Sequence, residues 1–460
     1  MASDTQSKPT TGPDAEPDHP DVEGALPVET RDPFPNSRLF RWLDARFDLD
    51  RGVFGKAFPE DRYGSFLLGE VALFSFILLV ATGTFLGLLY SPSAGDTTYE
   101  GAVAAYAGQT VPSSFASVLT ITYDTPFGMF VRMAHHWAAY IFIASIALHM
   151  FRVFFSGSYR NPHEPNWFVG GTLLLLSLVE GFFGYALPFD NFSKTATGIG
   201  FEMAGSVPVL GSWLQGLVFG GAFPDDAAVA IPRMFFLHVF LVPAAIAVLV
   251  AIHMGILITQ KHSEHAPKSR SDESGPAPDD DSVVVGLPLF PQQALLSTIV
   301  FLLTATAITL LAGFFPVQRV AVVGPASATS TPPGVTPDWF FMWVFGALKL
   351  LPGRLLGGIV LPLLIIGLMI VWPLIDNADH PVHFTVDPLD RPVQTGLGVG
   401  AITLIIMLSI AGMKSTVAEE LGVASATLDP ILLALTAIVP IGVFAIIYWM
   451  LSLRRRRLAA

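Results

Sequence analysis

The chain has 460 residues, 52% of them hydrophobic and only 13% charged, and its mean hydropathy is +0.58. That balance reads as a membrane protein with several spans. There are no cysteines, which excludes disulfides, CxxCH heme attachment and cysteine-held iron–sulfur clusters within this chain, and the formal charge of −12, partly from soluble ends and loops, gives no sign of a nucleic-acid partner.

Residues 1–37 are rich in Pro, Asp, Glu, Ser and Thr, and are expected to form a disordered acidic tail. No early apolar run follows a basic start, so no signal peptide is expected. Residues 38–62 set Leu39, Phe40, Trp42, Leu43 and Phe47 among Arg41, Arg46 and Arg51, the pattern of an amphipathic helix lying on a membrane surface. Eight spans are then expected, at 66–90, 133–155, 167–187, 233–258, 291–314, 355–375, 396–413 and 431–453. A charged, Pro/Ser-rich linker, within 261–290, divides a four-helix front half (63–260) from a four-helix rear half (291–460). The fold class is therefore all-α, integral to the membrane. Cytoplasmic termini place 18 of the 25 Lys and Arg on the inner side, as the positive-inside rule favours.

Two spans carry paired histidines. The segment from Arg132 to Arg152 holds His135 and His149, and the segment from Arg233 to Gln260 holds His238 and His253. An ionisable side chain inside a span costs about 2.5–3.5 kcal/mol on insertion scales and marks a functional site by default. At about 100° per residue, the separation of 14 falls about 40° short of four turns and that of 15 overshoots by about 60°, so each pair shares a helix face. Along the axis either stride covers roughly 21–22 Å of a bilayer core about 30 Å thick. The orientation makes these two spans parallel, so His135 faces His238 near one surface and His149 faces His253 near the other. Each facing pair offers two imidazole nitrogens to a planar iron macrocycle, and two stacked hemes would form an electron path across the membrane. The plainer reading is four helix-packing histidines; matched depth and facing count against it. His136 sits about 100° round from His135 and suits packing or a heme-propionate contact. Gly69 and Gly83 repeat the 14-residue stride in the first span, and Gly184 lies near the end of the third; small residues let a bulky group approach.

These residues resemble cytochrome b, the quinone-reacting di-heme subunit of cytochrome bc complexes, over about residues 38–453. The landmarks are Arg132-x-x-His135 with its stride to His149, FRVFFSGSYRNPHEPNW at 151–167, GYALPFDN at 184–191 and RPV at 391–393. The stride from His238 to His253 is similar to the chloroplast and cyanobacterial version, in which the rear half is a separate subunit; here the halves are fused. The resemblance implies that His135 and His238 ligate the iron of an outer, low-potential heme b and His149 and His253 that of an inner, high-potential one, both hemes non-covalent. It implies a propionate partner in Arg132, whose guanidinium suits a carboxylate, although a helix-end anchor is compatible.

TPDWF, with Pro337, Asp338, Trp339 and Phe340, resembles the family's Pro-Glu-Trp-Tyr signature beside an outer quinol-oxidation site. Quinol oxidation releases protons, so a carboxylate near the ring is a fitting acceptor. Asp338 is one methylene shorter than glutamate and Phe340 lacks the tyrosine hydroxyl. Tyr185 and Phe189 are expected to line the same pocket. The inner quinone site is less legible: the mitochondrial family has a histidine where this chain has Leu257, while Lys261, His262, Asp376 and Asp379 lie on the expected side. His380 and His383 read as a solvated loop.

The resemblance implies a quinol–cytochrome c reductase type oxidoreductase. In it quinol is oxidised outside, one electron goes to a Rieske iron–sulfur protein and a cytochrome c1-like or other acceptor subunit, and the other crosses to reduce quinone inside, with proton translocation. The complex is expected to be homodimeric, in contact with membrane lipid and in the plasma membrane. The alternatives are a di-heme membrane anchor for another oxidoreductase, against which TPDWF argues, and a proton-coupled transporter using histidine relays, which predicts no heme.

Overall fold

A computed structural model describes residues 67–223, 227–260, 291–317, 319–327, 335–380, 382 and 384–459, four residues between 42 and 46, and the backbone of four short strands. Residues 1–60 with 279–293 form one unit and 61–278 with 294–460 another.

In the first unit Leu26–Pro27 pairs antiparallel with Val283–Val284, and Ala57–Phe58 with Leu287–Pro288. The expected tail contributes Leu26–Pro27 and the expected linker Val283–Val284, Leu287–Pro288 and the start of a π-turn, Leu289–Gln293. Ala57–Phe58, expected within the surface helix, is a strand paired to that linker. Lys261 and His262 lie outside the described residues. Of the expected surface helix, Trp42, Leu43, Ala45 and Arg46 are helical, and the Arg46 guanidinium stacks 4.1 Å over the Trp42 ring.

The second unit is helical and holds the spans. Its principal helices among the described residues are α1 (Leu68–Leu89), α2 (Gly128–Ser156), α3 (Glu164–Ala186), α4 (Asn191–Gly205), α5 (Ala230–Gln260), α6 (Ala294–Phe314), α7 (Trp339–Leu350), α8 (Leu355–Ile370), α9 (Pro392–Gly412) and α10 (Leu428–Ala459). Seven of them are long and apolar enough to cross a bilayer. The expected sixth span is α8, apolar but shorter, because Pro373 and the turns around it end the helix before Asp376. Leu88, Leu303 and Ile441 stand exposed on span surfaces, as lipid-facing residues do.

Local chemistry fixes the ends. Pro165 and Glu164 open α3, where a missing N–H costs nothing and a negative charge meets the helix dipole. Gly157 closes α2 in the left-handed conformation, φ 70°. Around the front four-helix core, α1 packs along α2, α3 along α5, and α6 against both α1 and α2, so front and rear halves share one unit.

A buried polar cluster ties those halves together where α2 ends. Arg391 is 3% exposed and pairs with Asp376, while its Nη2 donates to the Tyr159 hydroxyl at 2.8 Å. Trp372 Nε1 donates to the same hydroxyl at 2.7 Å, and Gln394 Nε2 to Asp376 Oδ1 at 3.0 Å. Burial pushes the Tyr159 hydroxyl up to about 12 although Arg391 pulls it down, so it stays protonated and donates to Asp376. A Cβ on Gly157 would stand 2.0 Å from Arg391 Nη1, which explains the glycine in FRVFFSGSY and the arginine of RPV as one joint. Asp376 is held in this cluster; Asp379 and His380 are exposed, and His383 lies outside the described residues. Breaking a buried ion pair from one side costs about 3–5 kcal/mol. Arg391→Ala should therefore lower the thermal unfolding midpoint in detergent clearly; an unchanged midpoint would remove this cluster from the stability of the fold.

Candidate functional site

The four histidines meet in two pairs. The ring centres of His135 and His238 are 6.1 Å apart with planes at 82°, and those of His149 and His253 are 6.5 Å apart at 79°. The parallel run of α2 and α5 required by the sequence argument is therefore the one observed. The 15-residue stride in α5 also finds its cause. Leu237–Leu241 forms a π-turn followed by Pro243, whose missing N–H interrupts the ladder. A π-turn absorbs about one extra residue, so 15 residues in α5 turn through nearly the angle that 14 cover in α2.

Each imidazole lies against a glycine. A Cβ would stand 3.1 Å from the His135 ring at Gly83, 3.4 Å from His149 at Gly69, 2.5 Å from His238 at Gly184 and 3.6 Å from His253 at Gly170. Gly170 was not singled out from the sequence, although it precedes Gly184 by the same 14 residues that separate Gly69 from Gly83. The far nitrogens of the first pair are engaged: His135 Nδ1 lies 2.9 Å from Thr82 Oγ1, and His238 Nδ1 lies 2.8 Å from Glu180 Oε1. Both Nε2 atoms are thus left for what lies between the rings.

A cavity of about 280 Å³ opens at the His135–His238 end. A single water needs only about 10–15 Å³, so this is a ligand-sized space and not a packing fault. Its lining includes His135, His238, Gly83, Gly184 and Arg132 together with Tyr185, Asp338, Phe340, His136 and Tyr140. Asp190, the N-cap of α4, is a carboxylate that acts on Arg132. Pro337 is half-buried and Trp339 exposed, and neither belongs to the lining. Phe189, expected in the pocket, instead packs in the core with Phe223, 6.4 Å between ring centres.

Tyr140 was missed by sequence reasoning. Its hydroxyl donates to Asp338 Oδ1 at 2.6 Å, and the same oxygen lies 4.0 Å from His136 Nε2. The available signal was its position four residues after His136, on the same helix face. Burial pushes the Asp338 carboxyl above the usual carboxylate range, and the Tyr140 hydrogen bond pulls it partly back.

Comparison with known proteins decides the family. The profile described as "Cytochrome b(N-terminal)/b6/petB" matches residues 140–325, and that for "Cytochrome b(C-terminal)/b6/petD" matches 325–428. The chain is 33% identical over 427 residues to the cytochrome bc1 complex cytochrome b subunit of Mycobacterium leprae, covering 88% of this chain and 74% of that one. The corresponding subunit of Streptomyces coelicolor is 33% identical over 396 residues, 82% and 70% of the two chains. The chain belongs to the cytochrome b family. A solved structure entitled "Hyperthermophilic respiratory Complex III" has the same fold, with a TM-score of 0.64 at 20% identity over 89% of this chain and 98% of that one.

Membership makes the chain a membrane-bound electron-transport protein, a subunit of a quinol–cytochrome c reductase type oxidoreductase, and sets the transporter reading aside. It also implies heme b, and the residues present fit that group. An imidazole nitrogen sits about 2.0–2.1 Å from a first-row metal ion and the ring centre about 1.1 Å further, so two imidazoles on opposite sides of one ion have centres about 6.3 Å apart. The observed 6.1 and 6.5 Å bracket that value. The glycines give a graded test. Substitution by alanine should disturb heme content, read as a pyridine hemochrome, most at Gly184, then Gly83, then Gly69, and least at Gly170. An inverted order would break the link between backbone clearance and imidazole position.

Proposed function

We propose that this chain is the quinol-oxidising, di-heme subunit of a bc1-type complex in the plasma membrane, with both termini cytoplasmic. His135 and His238 hold the outer of two non-covalent hemes b, and His149 and His253 the inner. When bound, the hemes supply one-electron carriers spaced across the membrane. Arg132 neutralises a propionate of the outer heme. Quinol is the substrate at the outer site; a Rieske iron–sulfur protein and a cytochrome c1-like subunit take electrons on that side, and quinone is reduced on the inner side.

One observation carries the reading: a half-buried carboxylate, Asp338, shares a cavity with the His135–His238 pair. Quinol must lose protons as it loses electrons, and a base within hydrogen-bond reach of its hydroxyl accepts one. Burial raises the basicity of Asp338, which suits it to that task. Tyr140 holds Oδ1 and leaves Oδ2 to face the substrate; Phe340 and Tyr185 give the ring an apolar wall that excludes water. The Tyr140 hydroxyl, 6.1 Å ring to ring from Phe340, supplies near this motif the phenol that Phe340 lacks.

The test is the rate of quinol-driven heme reduction against pH in the isolated complex. A carboxylate accepts a proton only above its pKa, so the rate should fall as pH drops through the raised value of Asp338. Asp338→Asn should lose that acidic limb and slow the reaction by about 10²-fold or more while retaining both hemes. Asp338→Glu should stay active. Tyr140→Phe removes a hydrogen bond that favours the carboxylate, so the limb should move to higher pH. Full-rate reduction by Asp338→Asn across the pH range would refute the proposal.

A further inference from the structure

Glu180 is a carboxylate in the apolar helix α3, and the quinol reading gives it no task. It is 17% exposed and lines the cavity beside His238. Its Oε1 lies 2.8 Å from His238 Nδ1, and its own backbone carbonyl oxygen 3.2 Å from the same nitrogen. A neutral imidazole bound to a metal through Nε2 carries its one proton on Nδ1, so this contact is an N–H donating to a carboxylate. The opposite imidazole is treated differently. Thr82 Oγ1 donates to Leu78 O at 2.6 Å, so towards His135 Nδ1, 2.9 Å away, it acts as a neutral acceptor. One ring of the pair backs onto a carboxylate and the other onto a hydroxyl.

We propose that Glu180 is a positioning residue that lowers the reduction potential of the heme held by His135 and His238. The inference rests on the ligand assignment under the proposed function. Accepting the Nδ1 proton makes His238 a more basic ligand, and the carboxylate adds negative charge near the iron. Both effects favour ferric over ferrous iron, and second-shell hydrogen bonding and local charge are the levers by which a protein tunes such a centre. The His149–His253 pair lies 14 to 15 residues, roughly 21–22 Å, further along the helices, beyond the reach of that hydrogen bond. Only the part of this contact that is stronger in the ferric than in the ferrous state shifts the equilibrium, and a charged acceptor gives an expected change of about tenfold in the reduced-to-oxidised ratio at fixed potential.

The experiment is a potentiometric titration of the heme absorbance in the isolated complex, with low-temperature EPR to verify bis-imidazole ligation. Glu180→Gln keeps the shape and an acceptor but removes the charge; one of the two midpoints should rise, about tenfold in that ratio, while the other stays. Thr82→Val should move the same midpoint far less. Unchanged midpoints in Glu180→Gln with ligation intact, or equal shifts of both hemes, would overturn the proposal. If Glu180→Gln binds only one heme, Glu180→Asp decides: an intermediate rise of one midpoint supports the role, and no shift overturns it. A lack of heme absorbance in the unsubstituted complex would instead bring down the functional reading on which this rests.

Discussion

Everything at the centre of this protein depends on holding four imidazoles inside apolar helices at matched depths. A polar ring in a span is costly unless it is engaged, and here each pair faces the other across a gap of metal–ligand size. That requirement reaches into the backbone. Four glycines at two equal strides clear room for four rings, and the π-turn before Pro243 brings His238 and His253 to the rotation that α2 reaches without one. It also fixes chain direction, because antiparallel helices would place His135 opposite His253.

The polar chemistry gathers at the His135–His238 end. Asp338 comes from the rear half and Tyr140 and His136 from the front, so the Asp338 cluster exists only because the halves pack as one unit. Arg391, Asp376 and Tyr159 serve the same end near the close of α2, joining segments more than 200 residues apart. The sequence landmarks around Gly157 and Arg391 therefore belong to the architecture that holds the site, while TPDWF contributes groups to the site itself.

Much of this was legible in the sequence because helix geometry converts spacing into direction. The strides from His135 to His149 and from His238 to His253 suffice for face and depth, and Gly69, Gly83 and Gly184 follow the same arithmetic. What escaped depends on information that spacing lacks. The hydroxyl of Tyr140 matters only through Asp338, almost 200 residues away, and Glu180 only through His238 on another helix. Phe189 adjoins the pocket motif, yet its positive φ of 45° accompanies a side chain packed in the core. Asp376, legible only as a carboxylate on the expected inner side, is an ion-pair partner of Arg391, a role that only tertiary packing reveals. Gly170 alone was recoverable, by extending the 14-residue stride to the third span.

Each histidine pair would hold one heme, with its two imidazole planes crossed at 82° or 79°. Low-temperature EPR of the oxidised complex reads that arrangement, since imidazole planes at 82° and 79° would leave the d orbitals of a bound ferric iron nearly degenerate. Two low-spin ferric signals per chain are expected, each strongly anisotropic with one very large g value. A single signal, a high-spin signal, or rhombic spectra of the kind given by parallel imidazoles would contradict it.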